Sequence, residues 1–155
     1  MRNLVIFYSK TGKTSIVANT IKKDLKAHVK EIVDYTSERT VLDYMFTSLI
    51  DSASINPQKI DIDYYETIFI GTPVWFGSIT PAIKKIIDNT DFKNKNIILF
   101  NTMKGIGGDI ALRRMARLVE KHNGNVIGAF TITTNGSKKK VIESTHEALR
   151  EFNLT

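Results

Sequence analysis

Apolar residues along the chain fall into two alternating patterns, short continuous runs and longer stretches with helical spacing. The runs are too short for helices and rich in residues that favour strands, so they predict buried strands. They cover residues 4–7, 67–71, 96–100 and 126–133, and a less regular run at 29–34 predicts an outer strand. Such runs, alternating with amphipathic helices, are typical of a parallel sheet covered on both faces.

The intervening stretches repeat apolar residues every three or four positions, which predicts five helices. Their apolar positions are 17, 18, 21 and 25; 41, 42, 45, 46, 49 and 50; 83, 86 and 87; 112, 115 and 119; and 141, 142, 149 and 152, with Thr145 on the same side of the last helix. Thr80-Pro81 is expected to open the third helix, and Asp109 and Ser137 to cap the last two. The predicted fold is a doubly wound three-layer α/β sandwich, with all 155 residues in a single domain.

Three loops with unusual composition each follow a predicted strand, at residues 9–14, 72–79 and 101–108. The carboxyl ends of parallel strands lie at one edge of the sheet, where ligands of this architecture bind. The sequence therefore predicts that the three loops converge on one ligand site.

Composition narrows the classes of function. The chain lacks cysteine, which excludes disulfides, thiolate metal sites and a cysteine nucleophile. No apolar run has the length of a membrane span, and the first strand begins so early that we expect no signal peptide and a cytoplasmic location. The net charge of +6 would attract anionic partners, nucleic acid among them. No nucleic-acid-binding motif accompanies the charge, so we expect no nucleic-acid partner.

The first of the three loops has the features of a phosphate site. The loop contains a single glycine and connects the end of the first predicted strand to the start of the first predicted helix. Free N–H groups at a helix N-terminus favour the binding of an anion. The loop residues are Ser9, Lys10, Thr11, Gly12, Lys13 and Thr14. A nucleotide-triphosphate P-loop would need glycine where Phe7 stands, and a dinucleotide fingerprint would need more glycines. The loop thus suits one terminal phosphomonoester, with a plain helix cap as the alternative.

With the second loop added, the sequence resembles the flavodoxin family over essentially its whole length. The matching residues are those of the first loop and a run after the third strand, Gly71, Thr72, Pro73, Val74, Trp75, Phe76 and Gly77. A looser match follows the fourth strand, at Thr102, Met103, Lys104, Gly105 and Gly107. The resemblance implies a five-stranded sheet in the order 2-1-3-4-5. It also implies FMN as the cofactor, with its phosphate in the first loop and its ring between the other two.

The consecutive aromatic residues of the second loop are expected to differ in role. Trp75 would stack on the flavin ring, whereas Phe76 would tuck under the loop as part of the core. Gly77 could bring backbone close to the ring, and it is our candidate for the peptide that reorients toward flavin N5 on one-electron reduction in this family. A simple turn glycine is the alternative.

The third loop has two interpretations that the sequence leaves open. Thr102, Met103, Gly105 and Gly107 would offer backbone N–H groups to the pyrimidine end of the ring, or the glycines would form a flexible turn. Met103 would pack on the ring edge or fill a gap in the core.

The resemblance implies a small redox protein that transfers electrons between protein partners. An FMN-dependent NAD(P)H oxidoreductase acting on quinones or other small acceptors is the alternative, and a non-redox binding module with the same fold is a third. Carriers of this family are usually acidic, whereas this chain places Lys10, Lys13 and Lys104 in its ligand loops. These lysines suit FMN binding but do not suit the usual redox partner of the family. Lys138, Lys139 and Lys140 follow the predicted Ser137 cap, and they are either a solvated lysine run or a docking site for an acidic redox partner; a small-molecule acceptor is the alternative to a protein partner.

Overall fold

The structure, a computed structural model, describes residues 2–33 and 60–152 of the chain. In these ranges it contains the strands β1 (Asn3–Phe7), β2 (His28–Glu31), β3 (Thr67–Pro73), β4 (Asn96–Met103) and β5 (Asn125–Thr133). It also contains the helices α1 (Lys13–Leu25), α2 (Pro81–Asp88), α3 (Gly108–Lys121) and α4 (Lys138–Glu151). The helix predicted between residues 39 and 52 lies outside the described residues. None of the described helices is long and apolar enough to cross a membrane.

The five strands form one sheet in the order β2-β1-β3-β4-β5, and every neighbouring pair is parallel. This confirms the predicted strand order and fold class. The inner strands β1, β3 and β4 are almost entirely buried because helices cover both faces of the sheet. At the edge, β5 alternates between more and less exposed positions along most of its length.

Two apolar clusters fill the spaces between the sheet and its helices. Successive strand residues point to opposite faces, so Ile68 and Ile70 belong to one cluster and Phe69 to the other. The first cluster includes apolar residues of α2 and α3, and the second includes residues of α1 and α4. These clusters confirm the three-layer arrangement and fix the strand ends that carry the loops.

Several element boundaries differ from the sequence prediction. β3 continues to Pro73 and β4 to Met103, beyond the predicted ends at residues 71 and 100. The second strand ends at Glu31, before the predicted residue 34. Asp109 is not the cap of its helix: Gly107 occupies the N-cap position with φ 96°, and Asp109 lies in the first turn of α3. The Asp109 carboxylate still interacts favourably with the positive end of the helix dipole, which explains why an acidic residue stands near the start of this helix. Ser137 is confirmed as a cap, since its side chain accepts a hydrogen bond from the Lys140 N–H.

Candidate functional site

A cavity of about 330 Å³ opens at the carboxyl end of β1, β3 and β4. Its walls come from the three loops that the sequence singled out. The lining residues are Lys10, Thr11, Lys13, Thr14, Pro73, Val74, Trp75, Thr102, Met103, Lys104 and Thr134. Thr134 is the one lining residue that sequence reasoning missed, although its place at the end of β5 put it on the same edge.

The other predicted site residues lie around this cavity without lining it. Ser9 accepts a hydrogen bond from the Ser15 N–H at 3.3 Å, so its hydroxyl serves the start of α1. Thr72 is fully buried, and its hydroxyl bonds to that of Thr80 at 3.0 Å, behind the cavity wall. The remaining members of this group are Gly12, Phe76, Gly77, Gly105 and Gly107.

The first loop turns into α1 through a left-handed residue. Gly12 occupies the N-cap position of α1 with φ 81°, a conformation that a side chain would strain. The Ser9 hydroxyl engages the N–H of Ser15, but no hydrogen bond within the described residues engages the N–H groups of residues 11–14. These groups lie at the positive end of the helix dipole, beside the lysines of the cavity wall. The arrangement fits a phosphate group.

The turn after β3 is a two-residue hairpin turn with unusual backbone geometry. Trp75 and Ser78 exchange backbone hydrogen bonds of 3.1 and 2.9 Å. The two central residues both have positive φ, 51° for Phe76 and 72° for Gly77, which identifies a type I′ turn. Glycine adopts this conformation readily, whereas a bulky residue such as phenylalanine adopts it rarely.

The position of Phe76 corrects the sequence prediction. Phe76 is 75% exposed and does not tuck under the loop as core. Trp75 is instead half-buried and packs against the apolar cluster of α2 and α3. The reason is the turn: the central residue Phe76 stands at its tip, while Trp75 is tied to Ser78 at its base.

Trp75 contacts both the core and the first loop. Its ring meets the Tyr8 ring edge-on, with centroids 6.2 Å apart and planes at 84°. The Lys10 Nζ lies 5.6 Å from the Trp75 ring centroid, within the range of a cation–π interaction. The aromatic wall and the first loop are therefore adjacent, as one ligand with a planar ring and an anionic end requires.

The third loop is held in place by residues that the sequence did not suggest. The Met103 carbonyl accepts hydrogen bonds from the N–H and the hydroxyl of Thr134, at 2.8 and 3.2 Å. Asn135 Nδ2 donates to the Lys104 carbonyl at 2.6 Å. These bonds join the end of β5 to the cavity wall and fix the backbone of residues 103–104.

Arg114 and Gly107 connect the second and third loops. Arg114 Nη1 lies 3.0 Å from Ser78 Oγ and 3.4 Å from the Gly77 carbonyl, so α3 supports the hairpin turn. A Cβ on Gly107 would lie 2.8 Å from the Gly77 Cα, which shows how closely the two backbones approach. Neither contact has a signal in a single sequence, since both depend on how the loops pack.

Together, fold and site define a flavodoxin-like protein. The sequence matches the flavodoxin family over residues 2–144, and the chain belongs to that family. This confirms the family predicted from the sequence and supports FMN, the cofactor that the resemblance implied. No curated protein sequence matches the chain.

Solved structures share the fold at low sequence identity. A flavoprotein from Lactobacillus acidophilus NCFM, determined in complex with FMN, is 24% identical with a TM-score of 0.72, over 84% of this chain and 92% of that one. Flavodoxin 1 from Bacillus cereus is 13% identical with a TM-score of 0.61, over 97% and 98%. An azoreductase from Bacillus anthracis is 12% identical with a TM-score of 0.61, over the full length of both chains.

Proposed function

We propose that this protein binds FMN at the cavity and carries electrons one at a time between protein partners. The phosphate lies at the first loop, and the flavin ring lies between Trp75 and the third loop. FMN supplies the redox chemistry, and the protein binds it, orients it and sets its potentials.

The observation that carries this proposal is the convergence of three chemically different walls on one cavity. Lys10, Lys13 and the start of α1 offer positive charge and backbone donors to an anion. Trp75 offers an aromatic face, and the end of β4 offers the backbone of Thr102 and Met103. The family assignment and the FMN complex of the Lactobacillus acidophilus flavoprotein agree with this ligand.

Each wall has a separate role in holding the cofactor. Thr11, Thr14 and the N–H groups of the first loop donate to phosphate oxygens, and the neighbouring lysines balance its charge. Trp75 covers one face of the ring and excludes water from it. The Met103 backbone, fixed by Thr134, borders the ring edge.

The test is a titration of the FMN-free protein with FMN, followed by flavin absorbance and Trp75 fluorescence. Stoichiometric binding, followed by electron transfer from the reduced protein to a haem protein, is the expected result. A protein that rejects FMN would refute the proposal. Binding without transfer to any protein acceptor would leave FMN in place and remove the carrier role.

The lysines of the cavity wall favour one second candidate, an FMN-dependent NAD(P)H oxidoreductase. Lys10, Lys13 and Lys104 attract an anionic nicotinamide nucleotide and stabilise a fully reduced, anionic flavin. The azoreductase from Bacillus anthracis has the same fold. Rapid oxidation of NADH or NADPH in the presence of a quinone would favour this enzyme, whereas oxidation no faster than that by free FMN would favour the carrier.

A further inference from the structure

Beyond the cavity, we infer that an acidic protein partner docks on one surface formed by the hairpin turn, the third loop and α3. This docking surface consists of Phe76, Ile106, Ile110, Arg113 and Arg117. The inference rests on the proposed electron-carrier function, because it names the partner's chemistry and the place where it binds.

The apolar part of the docking surface is conspicuously exposed. Phe76 is 75%, Ile106 93% and Ile110 50% exposed. Only six large apolar side chains of residues 2–33 and 60–152 are exposed, and these three belong to neighbouring segments. Large apolar side chains that are exposed on adjoining segments of a soluble domain are typical of a contact site.

Phe76, Ile106 and Ile110 lie near one another because of one backbone contact. Gly77 and Gly107 approach so closely that a Cβ on Gly107 would lie 2.8 Å from the Gly77 Cα. Phe76 and Ile106 immediately precede these glycines, and Ile110 stands in the first turn of α3, which begins at Gly108. The three side chains therefore share one end of the molecule.

The backbone conformation of Phe76 also points to a role for its exposed ring. Its φ of 51° is unfavourable for a bulky residue, and the ring gains little burial in return. Strain of this kind persists where the surrounding structure imposes it, and it concentrates at functional positions. Here the turn presents an apolar ring to solvent next to the cavity.

Charge identifies the kind of partner. Ile110, Arg113 and Arg117 are spaced three and four residues apart, so they form one row on the exposed face of α3. Neither arginine forms an ion pair with a carboxylate of the described part of the chain, Asp109 included. An apolar centre beside unpaired arginines complements a partner with an apolar contact and an acidic rim.

The docking surface also lies where electron transfer needs it. The hairpin turn that presents Phe76 begins at Trp75, which lines the cavity. Arg114, in the same helix turn as Arg113, fixes this hairpin turn through Ser78. A partner seated on the surface would therefore lie beside the ring site.

The test uses the FMN-loaded protein reduced with dithionite under anaerobic conditions. Two acceptors are compared at low ionic strength: the acidic soluble haem domain of cytochrome b5 and the neutral quinone menadione. R113E/R117E is matched by K22E/K30E, which changes net charge equally at exposed positions outside the docking surface. We expect R113E/R117E to slow cytochrome reduction about tenfold and K22E/K30E less than twofold, because specific docking depends on local charge. Menadione reduction should not change.

A second pair of variants tests the apolar contact. I106S should slow cytochrome reduction several-fold, whereas I127S, a similar change on β5, should not. A third measurement uses the wild-type protein and so does not depend on whether a variant folds. When the cytochrome domain is added, amide chemical-shift changes should centre on residues 76, 106, 110, 113 and 117.

The outcomes separate this inference from the proposed function. Equal slowing by R113E/R117E and K22E/K30E, or shift changes centred elsewhere, would overturn the docking surface while leaving the carrier intact. So would a larger effect of K139E/K140E, at the start of α4. If the wild-type protein does not bind FMN, or reduces neither the cytochrome domain nor menadione, the proposed function itself would be refuted.

Discussion

Thr14 Oγ1 and Thr102 Oγ1 share a buried hydrogen bond of 2.8 Å that joins the first loop to the end of β4. A hydroxyl donates once and accepts twice, so this bond leaves one of the two hydroxyls able to donate to a ligand. Because Thr14 stands at the start of α1 and lines the cavity, the bond also holds its side chain at the expected phosphate position.

Replacing Thr14 with valine is expected to weaken FMN binding by roughly 1.5–3 kcal/mol, since it removes a donor to a charged oxygen. Thr102→Val breaks the same buried bond but leaves the Thr14 hydroxyl in place, and we expect it to weaken FMN binding less. Dissociation constants from fluorescence titration would measure both. Equal losses would show that Thr14 acts only through its bond to Thr102.

Riboflavin, which lacks the phosphate, should bind at least about 100-fold more weakly than FMN. The loop N–H groups and hydroxyls then lose charged acceptors, each bond being worth about 1.5–3 kcal/mol. Parallel titrations at one ionic strength would measure the ratio. Equal affinity for the two ligands would mean that the first loop is only a helix cap.

Trp75 fluorescence should be strongly quenched when FMN binds, because the proposed site puts the indole against the flavin ring. The chain has one tryptophan, so the signal has a single source. Trp75→Leu should remove both the indole emission and its response to FMN, and it should weaken FMN binding by about 0.5–1.5 kcal/mol beyond the lost burial. A wild-type signal that does not respond to bound FMN would place the ring elsewhere.

The strained turn makes a prediction about stability. Phe76→Gly should raise the free energy of unfolding by about 1 kcal/mol relative to Phe76→Ala, because alanine keeps a Cβ in the left-handed conformation. Both variants remove the exposed ring, so lost contacts cancel in the comparison. Urea denaturation of the FMN-free proteins would measure the difference. Equal stability would show that the turn relaxes without cost when the ring is removed.

The fold could be predicted from sequence because its signals are local and repeated. The apolar runs and helical spacings gave the order of elements, and parallel strands placed all three loops at one edge. The family resemblance added the strand order, which periodicity alone does not provide. The same logic identified ten of the eleven residues that line the cavity.

The details that could not be predicted depend on backbone geometry and on contacts between distant segments. The apolar, aromatic character of Phe76 predicts a core position, but a type I′ turn puts this residue at its tip. Asp109 matched the residue preference of a cap, yet Gly107 takes that position. Thr134 and Arg114 support the site from other elements, through contacts that only the folded chain reveals.

The lysines of the cavity wall should set the second one-electron potential of bound FMN. A unit charge ~10 Å from the ring contributes about 0.4 kcal/mol in a water-like dielectric. For one electron this is roughly 18 mV, since 59 mV corresponds to a tenfold change. Lys104→Glu reverses one charge, so it should make the second potential about 35 mV more negative. The first potential should move less, because the first reduction adds no net charge to the flavin when a proton accompanies the electron.

Lys22→Glu, near the C-terminal end of α1, is the matched control for this charge reversal. Lys22 belongs to the opposite end of the helix from the first loop, so its effect should be within a few millivolts once salt screens exposed charges over ~8 Å. Stepwise reductive titration with a reference dye would measure both potentials in the two variants. Equal shifts would mean that net charge controls the potential. No shift in either variant would show that the field at the ring is set by backbone dipoles, and the lysines would then serve the phosphate alone.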